Sequence, residues 1–158
     1  MKFAVTGGAG FVGSNIVKLL VKENHDVLVI DNMHTGKKEN LQEIFDKIEF
    51  FELDIRNIPE LENKIKDVDY LVHSISDISH ETTDLFYDAR NSIDVNLKIL
   101  SPLLCNLQSI KGICFLSSIA VYGKTPSFPI DENHSTNPIS FYGCGKLGAE
   151  KFLQNHCD

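Results

Sequence analysis

Three polar side chains toward the carboxyl end of this 158-residue sequence could do chemistry together: Ser118, Tyr142 and Lys146. Tyr142 and Lys146 lie four residues apart in a segment of helical periodicity, the spacing that sets two side chains on one helix face. A tyrosine ordinarily titrates near pH 10, so service as a base near neutrality needs about 4 kcal/mol of stabilisation of the phenolate. An ammonium one helical turn away supplies part of it, and a further positive charge held nearby could supply more. Without context the same pair is an interfacial tyrosine beside a solvated lysine.

The context lies at the other end of the chain. The apolar run Lys2 to Thr6 stops at Gly7-Gly8-Ala9-Gly10-Phe11-Val12-Gly13, and a helical pattern carrying Ile16, Val17, Leu19, Leu20 and Val21 follows. Gly7 suits the tight turn, Gly10 lets backbone N–H groups approach a pyrophosphate, and Gly13 allows close helix–strand packing. The phosphates then meet the positive end of the helix. The next β-branched run, His25 to Asp31, ends in a carboxylate eighteen residues beyond Gly13. An acidic residue there accepts hydrogen bonds from the adenosine ribose and repels a 2′-phosphate, which favours NAD over NADP. Lys37 and Lys38 read as a solvated loop face.

These residues need a scaffold. Strand patterns recur at Ile48 to Asp54, Val68 to Ile75 and Gly112 to Ser118, separated by helical ones: a short one at Asn40 to Phe45, one starting near Pro59, and a long one from Asp84 to Asn106 with a kink or break at Pro102. Alternating strands and helices predict a doubly wound parallel sheet, with ligands at the carboxyl ends of its strands. Asp54 either holds the adenine edge or caps the helix near Pro59. His73 reads as a core or loop histidine. The stretch Lys124 to Ser140, with Pro126, Pro129 and Pro138, reads as a long surface loop, and a final helix starts near Ser140 or Phe141.

The net charge of −7 argues against a nucleic-acid or membrane-surface partner. The four cysteines, Cys105, Cys114, Cys144 and Cys157, form no C-x-x-C and read as reduced thiols of a cytoplasmic protein with no metal site. One domain, residues 1–158, is expected.

Taken together, Thr6 to Gly13, Asp31-Asn32, Asp54-Ile55-Arg56, Ser117-Ser118-Ile119-Ala120-Val121-Tyr122-Gly123 and Tyr142-Gly143-Cys144-Gly145-Lys146 resemble the extended short-chain dehydrogenase/reductases. The resemblance is to the NAD-dependent nucleotide-sugar epimerase/dehydratase branch. It implies a Rossmann-like fold in which Gly7, Gly10, Phe11, Val12 and Gly13 hold the NAD pyrophosphate. It further implies cofactor contacts from Asp31, Asn32, Asp54, Ile55, Ser74, Ile75, Asn96 and Ser117, together with Tyr142 and Lys146. On a UDP-hexose substrate, Tyr142 would take the proton of the 4-hydroxyl while hydride passes to NAD. Ser118 would hydrogen-bond the same oxygen, and Lys146 would bind the nicotinamide ribose. The 4-keto sugar could then take the hydride back on its other face.

Departures from that pattern sharpen the expectations. Dehydratases that resemble this sequence carry an acidic pair after the catalytic hydroxyl; here Ile119 and Ala120 stand there, which disfavours elimination. Ile75 replaces a small residue and would crowd the cofactor. Of Asn-Val-x-Gly-Thr only Asn96 survives, and Gly145 replaces a serine, where a helical glycine costs about 1 kcal/mol. Members of the family continue past the helix bearing Tyr142, so the sheet is expected to be truncated after it. Its fifth strand would then be an exposed edge, favouring a homo-oligomer or a completing C-terminal partner.

Overall fold

A computed structural model of the chain describes residues 1–76, 85–98, 100 and 110–155. They fall into two compact units, the first holding residues 1–76 and 110–116, the second 85–98, 100 and 117–155.

The first unit is a parallel sheet of five strands, β1 (Lys2–Thr6), β2 (Asp26–Asp31), β3 (Glu49–Glu52), β4 (Tyr70–His73) and β5 (Gly112–Phe115), in the order β3-β2-β1-β4-β5. The order reverses direction beside β1, which makes its carboxyl end the topological switch point where such sheets take ligands. The central strands read as unbroken apolar runs because both their faces are covered: Ala4 and Val5 of β1 and Val27 to Ile30 of β2 are all buried. The edge strands β3 and β5 are only partly buried, and among the described residues β5 pairs with β4 alone, as the expected exposed edge.

Helix α1 (Phe11–Lys22) turns Val17 inward onto Val5, Val29 and Val72, with Ile16, Leu20 and Val21 around them. The short helix expected from Asn40 is a longer 3-10 segment, Lys38–Lys47, whose Leu41 is buried in the same core. Helix α2 (Ile58–Ile65) has proline in its first turn, as expected, but Asn57 is its N-cap. Asp54 therefore does not cap it; its carboxylate is engaged by Arg56 and Asn32 instead.

In the second unit, helix α3 (Leu85–Ile93) passes into a π-helical turn, Asp94–Lys98. Pro102, the expected kink, and the loop 77–83 lie outside the described residues, as do Cys105 and Cys157. A 3-10 turn, Ile119–Val121, follows Ser118, and helix α4 (Phe141–Gln154) begins at the Ser140 cap, whose hydroxyl accepts from the Gly143 N–H at 3.1 Å. The loop between them is hydrogen-bonded to itself. Asp131 and Ser127 both contact the His134 ring, which stands edge-on to Tyr122. Left-handed Gly123 (φ +64°) leaves no room for a Cβ against the Asn137 carbonyl. No described helix is long and apolar enough to cross a membrane.

Candidate functional site

In the first unit, the backbone ladder carries past the strand ends into the glycine turn. Gly7 N–H donates to the Ile30 carbonyl at 2.8 Å, and Ser74 N–H to the Thr6 carbonyl at 3.1 Å. Gly7 is left-handed (φ +72°), and Gly10 N–H closes the turn onto the Gly7 carbonyl at 3.1 Å. Gly10 is the N-cap of α1 and brings no side-chain cap, and the helical ladder starts only at Ser14 N–H. The N–H groups of Phe11, Val12 and Gly13 thus open at the helix start, beside side chains that are 84% exposed at Phe11 and 49% at Val12. A Cβ at Gly13 would overlap the Gly7 carbonyl and stand 2.8 Å from Ser74 Oγ. These are parts of the cradle an anion needs: backbone donors, a positive helix end and a turn built of glycines.

Asp31 is 5% exposed and fastens this turn to the end of β2. One carboxylate oxygen accepts from Ala9 N–H at 2.9 Å, the other from Met33 N–H at 2.9 Å, and Gly36 leaves the carboxylate unobstructed. Asn32 donates to Asp54 at 3.2 Å, placing both expected adenine-end residues in one cluster with Ile55, which is buried. Arg56 and its hydrogen bonds hold the Asp54 carboxyl down to about 2. Lys38 is half-exposed and paired with Glu52 at 3.2 Å. Across the switch point, Thr6 Oγ1 and His73 Nδ1 are 2.7 Å apart and His73 stacks on Phe115, so His73 is a satisfied core histidine. Ser74 Oγ donates to the Thr6 carbonyl at 2.7 Å, and Ile75 lies over Gly7, its Cγ1 3.0 Å from where a Cβ would be.

The second unit holds the expected catalytic residues. Ser118 caps the 3-10 turn, its hydroxyl accepting from Ala120 N–H at 3.2 Å. Tyr142 is half-buried in the first turn of α4, and Lys146 Nζ lies 6.0 Å from its ring centre. Lys146 is 1% exposed, and burial pushes its ammonium down to about 8. Three glycines admit close neighbours to α4. A Cβ at Gly143 would stand 2.6 Å from the Ala120 carbonyl oxygen, one at Gly145 3.1 Å from that of Ser92, and one at Gly148 3.3 Å from Leu97 Cδ2. The glycine expected to weaken this helix is therefore where α3 packs against it, which offsets its entropic cost. Asn96 is buried in the π turn, donates to the Ser92 carbonyl at 3.0 Å and faces Gly145; its Oδ1 has no partner among the described residues. Ser117, expected at the cofactor, donates its hydroxyl to Glu150, a residue sequence reasoning passed over although it follows Tyr142 and Lys146 at the same four-residue step.

The buried lysine carries an energetic signature. Its ammonium is bound less tightly in the fold than in the unfolded chain, so the native state holds fewer protons between pH 8 and 10.5 and stability rises with pH across that window. Below it, the difference amounts to about 3 kcal/mol of destabilisation. Lys146→Met is expected to raise unfolding stability at pH 7, by up to that amount, and to abolish the rise. Urea titrations at pH 7 and pH 10 check it; a variant less stable at pH 7 would contradict the assignment.

A parallel sheet of this strand order, with a glycine turn at the switch point, defines the Rossmann-like class. Within that class, the chain belongs to the NAD-dependent epimerase/dehydratase family, whose description matches residues 3–158. A relative from Methanocaldococcus jannaschii is 39% identical over 95% of this chain and 49% of its own length. The UDP-glucose 4-epimerase of Lactobacillus helveticus is 33% identical over 97% of this chain and 46% of its own. Among solved structures, the Thermotoga maritima UDP-glucose 4-epimerase with UDP-glucose superposes with a TM-score of 0.85 at 29% identity, covering 99% of this chain and 51% of that one. The chain thus spans about half the length of the relatives it matches.

Proposed function

We propose that residues 1–158 form the NAD-binding portion of a UDP-glucose 4-epimerase-like enzyme acting on a UDP-hexose. The observation that carries this reading is Lys146, an ammonium buried to 1% exposure one helical turn from Tyr142, in a chain whose glycine turn offers an anion cradle. A deeply buried titratable group beside a second one marks a candidate functional site.

Bound NAD supplies a hydride acceptor. In this reading Gly7, Gly10 and Gly13 admit the pyrophosphate to the N–H groups of Phe11, Val12 and Gly13. Asp31 receives the adenosine ribose hydroxyls, and Asn32, Asp54 and Ile55 border the adenine. Ser74, Ile75, Asn96 and Ser117 line or support the cofactor's path. Lys146 donates to the nicotinamide ribose and sets a positive charge beside Tyr142. Tyr142 removes the proton of the sugar 4-hydroxyl as its C4 hydride leaves, and Ser118 donates to the oxygen becoming a carbonyl. Tyr142 would return the proton to the 4-oxygen as C4 is re-formed with inverted configuration, so that NAD, as hydride acceptor and then donor, would be left unconsumed. Elimination would need an acid or base beside Ser118, where Ile119, 67% exposed, and Ala120 stand.

The test is to add UDP-glucose or UDP-galactose to the NAD-loaded protein and follow NADH absorbance. Sugar-dependent reduction supports the reading, whereas bound NAD that no sugar reduces would favour a dinucleotide-holding module without turnover. The Asp31 carboxylate also predicts a dissociation constant for NADP at least about tenfold above that for NAD, since a 2′-phosphate would meet a buried like charge. Calorimetric titration decides it, and equal affinities would remove Asp31 from the ribose site.

A further inference from the structure

Glu150 sits two turns beyond Tyr142 and one beyond Lys146, so the three share a stripe of α4. Its Oε1 accepts the hydrogen bond of Ser117 Oγ, joining residues 33 apart in sequence. Ser117 immediately precedes Ser118. At the other end of the same short segment, the Ala120 carbonyl packs onto α4 at Gly143, where a Cβ would stand 2.6 Å away. The stretch from Ser117 to Ala120 is therefore pinned to α4 at two points, Gly143 and Glu150, which at 1.5 Å per residue are about 10 Å apart along the helix axis. Ser118 lies between the pins on its segment, and Lys146 between them on the helix. Within the pinned segment, Ser118 Oγ is turned by the N–H of Ala120.

We propose that Glu150 is a positioning residue. Through the Ser117 hydroxyl it sets Ser118 against the face of α4 that carries Tyr142 and Lys146. The inference rests on the proposed function for its catalytic meaning, but the tie itself is a property of the second unit. Gly143 fixes one end by shape. Among the described residues, the Ser117–Glu150 bond fixes the other, and a charged acceptor makes it stronger than a neutral bond.

The test uses the full chain loaded with NAD. Glu150→Ala and Ser117→Ala should each slow sugar-driven reduction about tenfold, the scale of one hydrogen bond to a charged group. The sugar KM should hold near its original value in both, and the NAD dissociation constant in Glu150→Ala. The double variant should be no slower than either single one, because both remove one interaction. Glu150→Gln keeps an acceptor oxygen and should restore most of the rate. A loss confined to Glu150→Ala, an additive double variant, or a weakened NAD affinity in Glu150→Ala would overturn the proposal. Amide exchange separates this failure from failure of the functional reading. If no sugar reduces the cofactor, the Ala120 amide should still exchange faster in Glu150→Ala and Ser117→Ala but not in Glu150→Gln. Unchanged exchange at Ala120 would sink the tie whatever the enzyme does.

Discussion

Gly13→Ala should lose NAD binding by about a hundredfold or more while the sheet stays folded. The added methyl cannot be accommodated by a rotamer, because what it meets is backbone. The Gly7 carbonyl oxygen overlaps its position, and the Gly7 carbonyl carbon lies 2.9 Å away. Relief requires α1 to move off the turn or the turn to move off β1. Overpacking of this kind costs on the order of 1–3 kcal/mol in stability. The binding loss is expected to be larger, since either movement takes the first-turn N–H groups of α1 away from a pyrophosphate seated on Gly7 and Gly10. Calorimetric titration with NAD and a thermal melt of the same preparation separate the two effects. A variant that keeps full affinity would mean that the turn does not hold the dinucleotide.

Tyr142→Phe should lower the rate of sugar-driven NAD reduction by about 10³-fold, within the range assigned to a positioned acid–base group. The ring stays, so the packing of the first turn of α4 should survive, and the Ser140 cap on Gly143 N–H is untouched. NAD affinity is expected to change little, because in this account the phenol acts on the sugar hydroxyl and Lys146 on the cofactor ribose. A rapid-mixing measurement of the first turnover reads the chemical step apart from product release. A variant as fast as the parent would remove Tyr142 from the reaction and return it to an interfacial aromatic.

Much of the first unit's fold, with the glycine turn proposed to hold the cofactor, was legible in the sequence because its determinants are local. A strand, a glycine turn and a helix in succession allow few geometries, and Asp31 announces itself by standing at the end of the next apolar run. The Asp54 cluster was open, since an aspartate before a helix fits a cap as well as a loop contact. The bonds from Arg56 and Asn32 decided it. Other features depend on residues that meet only in the fold. Gly145 looks costly inside a helix until Ser92 and Asn96 are found against it. The π turn at Asp94–Lys98 has the same apolar spacing as the α-helix it follows. Glu150 carried a periodic signal, but its partner Ser117 lies across the long loop, and no pattern along the chain links them.

Nuclear Overhauser contacts in the NAD-loaded protein test most directly whether the glycine turn and α4 serve one cofactor. Cross-peaks are expected from the nicotinamide H4 to the Tyr142 ring in the same sample that shows adenosine ribose protons near the β2–Asp31 end. Adenosine contacts at Asp31 with a nicotinamide that touches nothing on α4 would contradict it.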